Sequence, residues 1–210
     1  VSALADWVLL AALHFAPIET RPRFEGFEET QEEAFGRYLG ISADIAAAAE
    51  EHAGTDAEKR RRAALLLAVA VGESGLSRDV DEGPCYRRGG WKARCDSGTS
   101  HTLWQMKAAM VDGRAVHARE LRGFDKRPQA ARAALRALSG SLGACRQLEA
   151  RDRLSMYGSG SCRPGLKSVR AHRRPPTRRE LAAWLGCSPS TVHGMAEAAE
   201  RLRLVEHLYE

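Results

Sequence analysis

Glu73 is the side chain whose setting best suits acid–base chemistry. It closes a strongly apolar stretch, Ala63-Ala64-Leu65-Leu66-Leu67-Ala68-Val69-Ala70-Val71, and is followed at once by Ser74-Gly75-Leu76-Ser77. An acid at the edge of a buried helix, beside a glycine break, is partly desolvated. Desolvation disfavours the carboxylate, which suits a general acid near neutral pH. Two further segments carry residue types that bind polar ligands. Leu103-Trp104-Gln105-Met106 lies about thirty residues on, and Met156-Tyr157-Gly158-Ser159-Gly160 about fifty beyond that.

These residues need elements to position them. Residues 3–15 read as a helix ended by Pro17, and residues 18–34 as irregular and acidic. Ser42 is a plausible N-cap for a helix over 43–52, which Gly54 stops. Asp56 caps a central helix running to about Glu73. From Arg78 to Ser100 glycine, proline and polar residues dominate, as in a long functional loop or a short hairpin region. Residues 101–121 read as helical with breaks. Pro128 starts a helix through Leu138, Gly140 and Gly143 break it, and a further helix covers about 144–157. Composition shifts at Arg163, and the domain boundary is expected near residue 172.

Alanine and leucine are abundant and β-branched residues few, so the fold class is expected to be mainly α. With 210 residues the chain can bury a real core. Its net charge of +5 is unevenly spread. Residues 19–33 are acidic, whereas 163–179 hold Arg163, Lys167, Arg170, Arg173, Arg174, Arg178 and Arg179 with no acid among them. Such a run is either a solvated linker or an electrostatic footprint for a polyanion. Residues 1–15 are too short to span a bilayer and lack the basic start and cleavage site of a signal peptide. A helix packed on the domain is expected there, with no membrane span. Five cysteines are present, Cys85, Cys95, Cys145, Cys162 and Cys187, without a Cys-x-x-Cys pair. That spacing argues against a zinc ribbon or finger, and no metal or cofactor is called for. Cys85–Cys95 and Cys145–Cys162 are the simplest disulfides, with Cys187 free. Four cysteines allow other pairings, and buried thiols are the plain alternative.

Residues about 58–172 resemble the lysozyme-like soluble lytic transglycosylase superfamily. The match lies in Glu73-Ser74-Gly75, in Gly98-Thr99-Ser100-His101-Thr102-Leu103-Trp104-Gln105-Met106, and in Tyr157-Gly158-Ser159-Gly160. His101-Thr102 replaces the family's usual small-glycine pair, and Gly158 replaces an asparagine. The resemblance implies a lysozyme-like helical domain over 56–172, an N-terminal helical extension over 1–55, and an appendage over 173–210. It implies cleavage of the β-1,4 bond between N-acetylmuramic acid and N-acetylglucosamine in peptidoglycan. Glu73 would protonate the leaving oxygen and then act as base. Ser74 would support the glutamate, Gln105 and Met106 would line the sugar groove, and Tyr157 would reach the Glu73 or N-acetyl region. Transglycosylases need no second carboxylate, because the muramyl C6 hydroxyl attacks. A hydrolase would need a positioned water, and two-carboxylate logic makes Asp96 the best base among Asp79, Asp81 and Asp96. Trp104 reads as core rather than ligand, since large apolar residues are mostly buried.

Residues 175–206 resemble the N-terminal helix-turn-helix of the LexA repressor. The carrying residues are Pro175-Pro176-Thr177-Arg178-Arg179-Glu180-Leu181-Ala182, Leu185-Gly186 and Ser188-Pro189-Ser190-Thr191-Val192-His193. The resemblance implies that Ser190, Thr191 and His193 sit near the start of a groove-entering helix, with Arg178 and Arg179 beside them. A wall substrate and paired cysteines imply an extracytoplasmic place in periplasm, cell wall or virion. A DNA-reading tail implies the cytoplasm and a non-enzymatic or virion structural protein. A wall enzyme with a helical docking appendage over 173–210 reconciles most of these features, its basic residues then tracking the anionic wall or a partner protein rather than DNA.

Overall fold

The structure is a computed structural model that describes residues 2–20, 26–83, 95–148 and 152–162, without the side chains of Asp96 and Ser97. Among the described residues the fold is mainly helical, with one two-stranded sheet. Contacts divide the chain into two units, Val1–Gly140 and Ser141–Glu210.

The first unit is built on three helices, α1 (Ala3–Phe15), α2 (Gln31–Glu50) and α3 (Asp56–Ser74), which pack on one another. Helix α1 starts where Ser2 Oγ accepts from the Ala5 amide, and it buries Val8, Ala11 and Ala12 completely. That spacing is one face of a helix. Helix α2 starts earlier than expected. Thr30 Oγ1 accepts from the Glu33 amide, and Glu33 accepts from the Thr30 amide, at 3.1 and 2.8 Å. This reciprocal cap satisfies two amides that a helix end otherwise leaves open. The expected cap, Ser42, is instead a buried mid-helix residue, because Tyr38 and Ile41 on the preceding turns belong to the same core face as Ile45. The Tyr38 hydroxyl donates to the Ala16 carbonyl at 2.8 Å and ties α2 to the end of α1.

Helix α3 repeats the capping box with Thr55 and Glu58, so Asp56 is the first helical residue and not the cap. Arg62 of α3 donates to the carbonyls of Ala49, His52 and Ala53. It closes the end of α2, whose last turn carries no basic residue of its own. The Gly75 cap of α3 is left-handed, with φ 60°. A four-residue helix, α4 (Arg78–Asp81), follows, and another, α5 (Cys95–Gly98), precedes the second sequence motif.

Residues 101–121 are not the broken helix expected from sequence. Strands β1 (Ala108–Val111) and β2 (Arg114–His117) form an antiparallel hairpin, followed by a 3₁₀ turn over Ala118–Leu121. Asp112 and Gly113 join the strands, both with positive φ (49° and 77°). Two such residues match the right-handed twist of a tight hairpin, and Asp-Gly accepts that conformation readily. Helix α6 (Arg127–Ala144) runs on through Gly140 and Gly143, which were expected to break it. Each glycine costs a helix interior about 1 kcal/mol, less than the burial of Leu135 and Leu138 on this helix returns at about 1.5–3 kcal/mol each.

In the second unit the expected helix over 144–157 is replaced by a turn after Cys145 and a short α7 (Ser155–Ser159). Cys145 and Cys162 form a disulfide with Cα atoms 5.3 Å apart. Ser141 Oγ donates to the Arg153 carbonyl and accepts from the Tyr157 amide. The segment that carries Tyr157 is thereby stapled to the end of α6. Cys95 is also disulfide-bonded, and its partner lies outside the described residues, as do Cys85 and Cys187.

Candidate functional site

Glu73 occupies the last turn of α3 and is half-buried. Helix C-termini favour cations, and a carboxylate there meets the negative end of the helix dipole, at a cost of about 0.3–1 kcal/mol. Stability alone does not select an acid at this position. The turn beneath it is held rigidly. Ser74 Oγ donates to the Ala70 carbonyl at 2.7 Å and accepts from the Leu76 amide at 3.2 Å. Ser74 is buried, so its hydroxyl shapes the bend after Glu73 and is committed to backbone.

The second motif is a closed six-residue loop. His101 and Met106 exchange both backbone hydrogen bonds at 2.8 Å. Within the loop the Gln105 amide group donates to the Thr102 carbonyl from both its backbone and its side chain, each at 3.0 Å. The side-chain amide oxygen of half-buried Gln105 has no partner among the described residues. Met106 is buried. It packs inside the fold, with little surface to offer a groove.

Trp104 fastens the loop to the helix that carries Glu73. Its ring is fully buried, and Nε1 donates to the Leu66 carbonyl at 2.9 Å across 38 residues of chain. Leu66 precedes Glu73 by seven residues, about two turns or 10 Å along α3. The structure therefore brings Glu73, Ser74 and the Gln105 loop to the same helix.

Backbone strain gathers here. Five described residues other than glycine have positive φ, and Leu76, Cys95, Thr102 and Gln105 flank these two motifs. Left-handed backbone is rare for β-branched and bulky residues, and such conformations cost on the order of 1–3 kcal/mol each and cluster at functional sites.

Two of the three aspartates expected to border the cleft are buried. Asp79 is fully buried. Asp81 is 4 % exposed and bridges Arg127 at 2.7 Å and Arg37 at 3.5 Å. Arg127 also pairs with Asp44, and Arg37 with Glu29. This network joins α2, α4 and the start of α6. Burial pushes the Asp81 carboxyl up, against the pull of Arg127 and Arg37. Such a carboxylate is a structural counter-ion for two guanidiniums. The side chain of Asp96 lies outside the described residues.

Tyr157 belongs to the second unit, where it is half-buried on α7. The residues expected to touch nucleic acid, Arg178, Arg179, Ser190, Thr191 and His193, all lie outside the described residues. Sequence reasoning missed the surroundings of His101. This residue is buried, and the Arg122 guanidinium lies against its ring. Only the departure of His101-Thr102 from the small-glycine pattern signalled it.

Among the described residues, no helix is long and apolar enough to cross a membrane. No family model, curated protein or solved structure matches the chain.

Proposed function

We propose that this chain is a peptidoglycan-cleaving muramidase acting on the β-1,4 bond between N-acetylmuramic acid and N-acetylglucosamine, with Glu73 as general acid and base. The observation that supports this reading most is the juxtaposition on α3. A half-buried acid closes the helix, and the Trp104 indole fastens an amide-bearing loop to the same helix two turns earlier. Glu73 donates its proton to the departing glycosidic oxygen. The Gln105 side-chain oxygen, without a partner among the described residues, accepts a hydroxyl or N-acetyl N–H of the sugar and holds the bond in register. Proton transfer by a positioned side chain contributes about 10²–10⁴-fold to rate.

With Asp79 and Asp81 committed to the interior, hydrolysis would draw on Asp96 as base, and the alternative is substrate-assisted attack by the muramyl C6 hydroxyl. It requires one carboxylate on the enzyme. The Cys145–Cys162 disulfide favours an oxidising, extracytoplasmic place, where this polymer lies. In this reading residues 173–210 are a docking appendage for wall polymer or a partner protein.

The test is Glu73→Gln, with cleavage of purified peptidoglycan followed by mass spectrometry and folding by circular dichroism. The expected result is a folded variant whose cleavage falls by about 10²–10⁴. Anhydro ends on products from the unaltered protein would show substrate-assisted attack, and reducing ends hydrolysis. A folded variant that cleaves at near the original rate overturns the role of Glu73.

A further inference from the structure

We propose that Arg122, seated on the His101 ring with Arg119 and His117 beside it, forms a binding site for a small oxyanion, a phosphate or a carboxylate. The inference does not depend on glycan cleavage.

The guanidinium is placed unusually. Arg122 Nε donates to His101 Nδ1 at 3.1 Å, and Nη2 approaches Nδ1 to 2.9 Å and Nε2 to 3.5 Å. A guanidinium has donors only, so His101 Nδ1 must be the acceptor and the ring is neutral with its proton on Nε2. Protonating it would set two positive groups about 3 Å apart. Half-buried arginines are ordinarily matched by a carboxylate, because a charge taken from water needs a counter-charge. Arg122 has none among the described residues.

Arg119 adds positive charge, and the His117 ring, whose Nδ1 accepts from the Arg119 amide at 3.1 Å, lies beside His101. The His101 and His117 ring centroids are 5.2 Å apart. Arg119 and Arg122 are three residues apart across the 3₁₀ turn, the spacing that places side chains on one side. Arg122, His117 and Arg119 all act to discharge His101, after burial itself, and no acid among the described residues opposes them. The acids adjoining Arg122 in sequence are engaged. Glu120 Oε1 accepts from the His117 amide at 3.3 Å, and Asp125 pairs with Lys126 at 3.6 Å. Arg119 and His117 are exposed and Arg122 half-exposed, so a solute can reach them. The fork of a guanidinium matches the two oxygens of a carboxylate or phosphate. The neighbouring Arg119 adds long-range attraction that falls with salt.

Imidazole resonances report on the site directly. The full chain would be titrated with inorganic phosphate, and separately with acetate, against sodium chloride at constant ionic strength and pH 7. The expected result is a saturable movement of the His101 and His117 signals with phosphate or acetate and not with chloride. Saturation by phosphate alone identifies a phosphate source, and by both a general oxyanion site. Arg122→Gln should weaken binding by roughly tenfold or more, the loss of one charge-assisted contact. Arg119→Gln, on an exposed residue that the fold does not need, should weaken it by a smaller factor. Movements that stay linear with concentration, or that persist unchanged in folded Arg122→Gln and in Arg119→Gln, overturn the proposal.

Discussion

Acid should loosen this fold through one buried imidazole. His101 is 3 % exposed, and its pKa is lowered from 6.5 to about 4, first by burial and then by Arg122. A base whose folded pKa is depressed binds its proton more readily when unfolded. Its contribution is therefore fully present above the unfolded value of 6.5 and is lost as pH falls from there toward 4. Each pH unit across that window is worth about 1.4 kcal/mol, so the whole transition is worth about 3 kcal/mol. Between pH 7 and pH 5, above most carboxylate titration, the loss is about 2 kcal/mol. His14, also pushed down by burial, acts in the same direction, so a comparison within one background is needed. His101→Gln supplies it, since an amide oxygen can still accept from Arg122 and never protonates. Urea unfolding at pH 7 and pH 5 should show stability falling in the original chain by about 2 kcal/mol more than in the variant. Equal losses in the two proteins would refute a neutral, discharged His101.

Trp104→Phe removes the indole donor to the Leu66 carbonyl and should cost about 1 kcal/mol in urea unfolding. If that tether aligns the Gln105 loop with Glu73, glycan cleavage should fall by more than the stability loss explains, and unaltered cleavage would argue against it. Gly40→Ala places a Cβ 2.6 Å from Arg127 Nη2, and Arg127 cannot swing aside without leaving Asp44 or Asp81. The expected cost is about 2–4 kcal/mol, as for other damage to a buried ion pair, and a thermal midpoint within a degree of the original would contradict the network. Cys145→Ser opens a bridge that spans 17 residues and should destabilise the second unit by about 3 kcal/mol, read as amide-exchange protection of α7; unchanged protection there would show that Ser141 alone holds the segment.

Local signals in the chain account for much of the helical frame. The apolar spacing of Val8, Ala11 and Ala12 marks α1, and the Thr30–Glu33 and Thr55–Glu58 pairs mark the starts of α2 and α3. Capping chemistry acts within four residues and is written in the sequence, although Ser42 and Asp56 offer competing cap residues. The same holds for Asp112-Gly113, a hairpin signal overlooked within residues 101–121. Glu73 could be placed at a helix end because an apolar run followed by Ser-Gly closes a helix by itself. What the sequence could not determine is which distant groups meet. The Trp104 indole finds a carbonyl 38 residues away, and Asp81 finds two arginines 44 and 46 residues away. Periodicity states that a face is buried and not against what, because burial is non-directional and only the completed packing chooses the partner. Asp79 and Asp81, loop acids by composition, became interior groups for that reason, and His101 acquired a guanidinium where composition showed only a polar residue before Thr102.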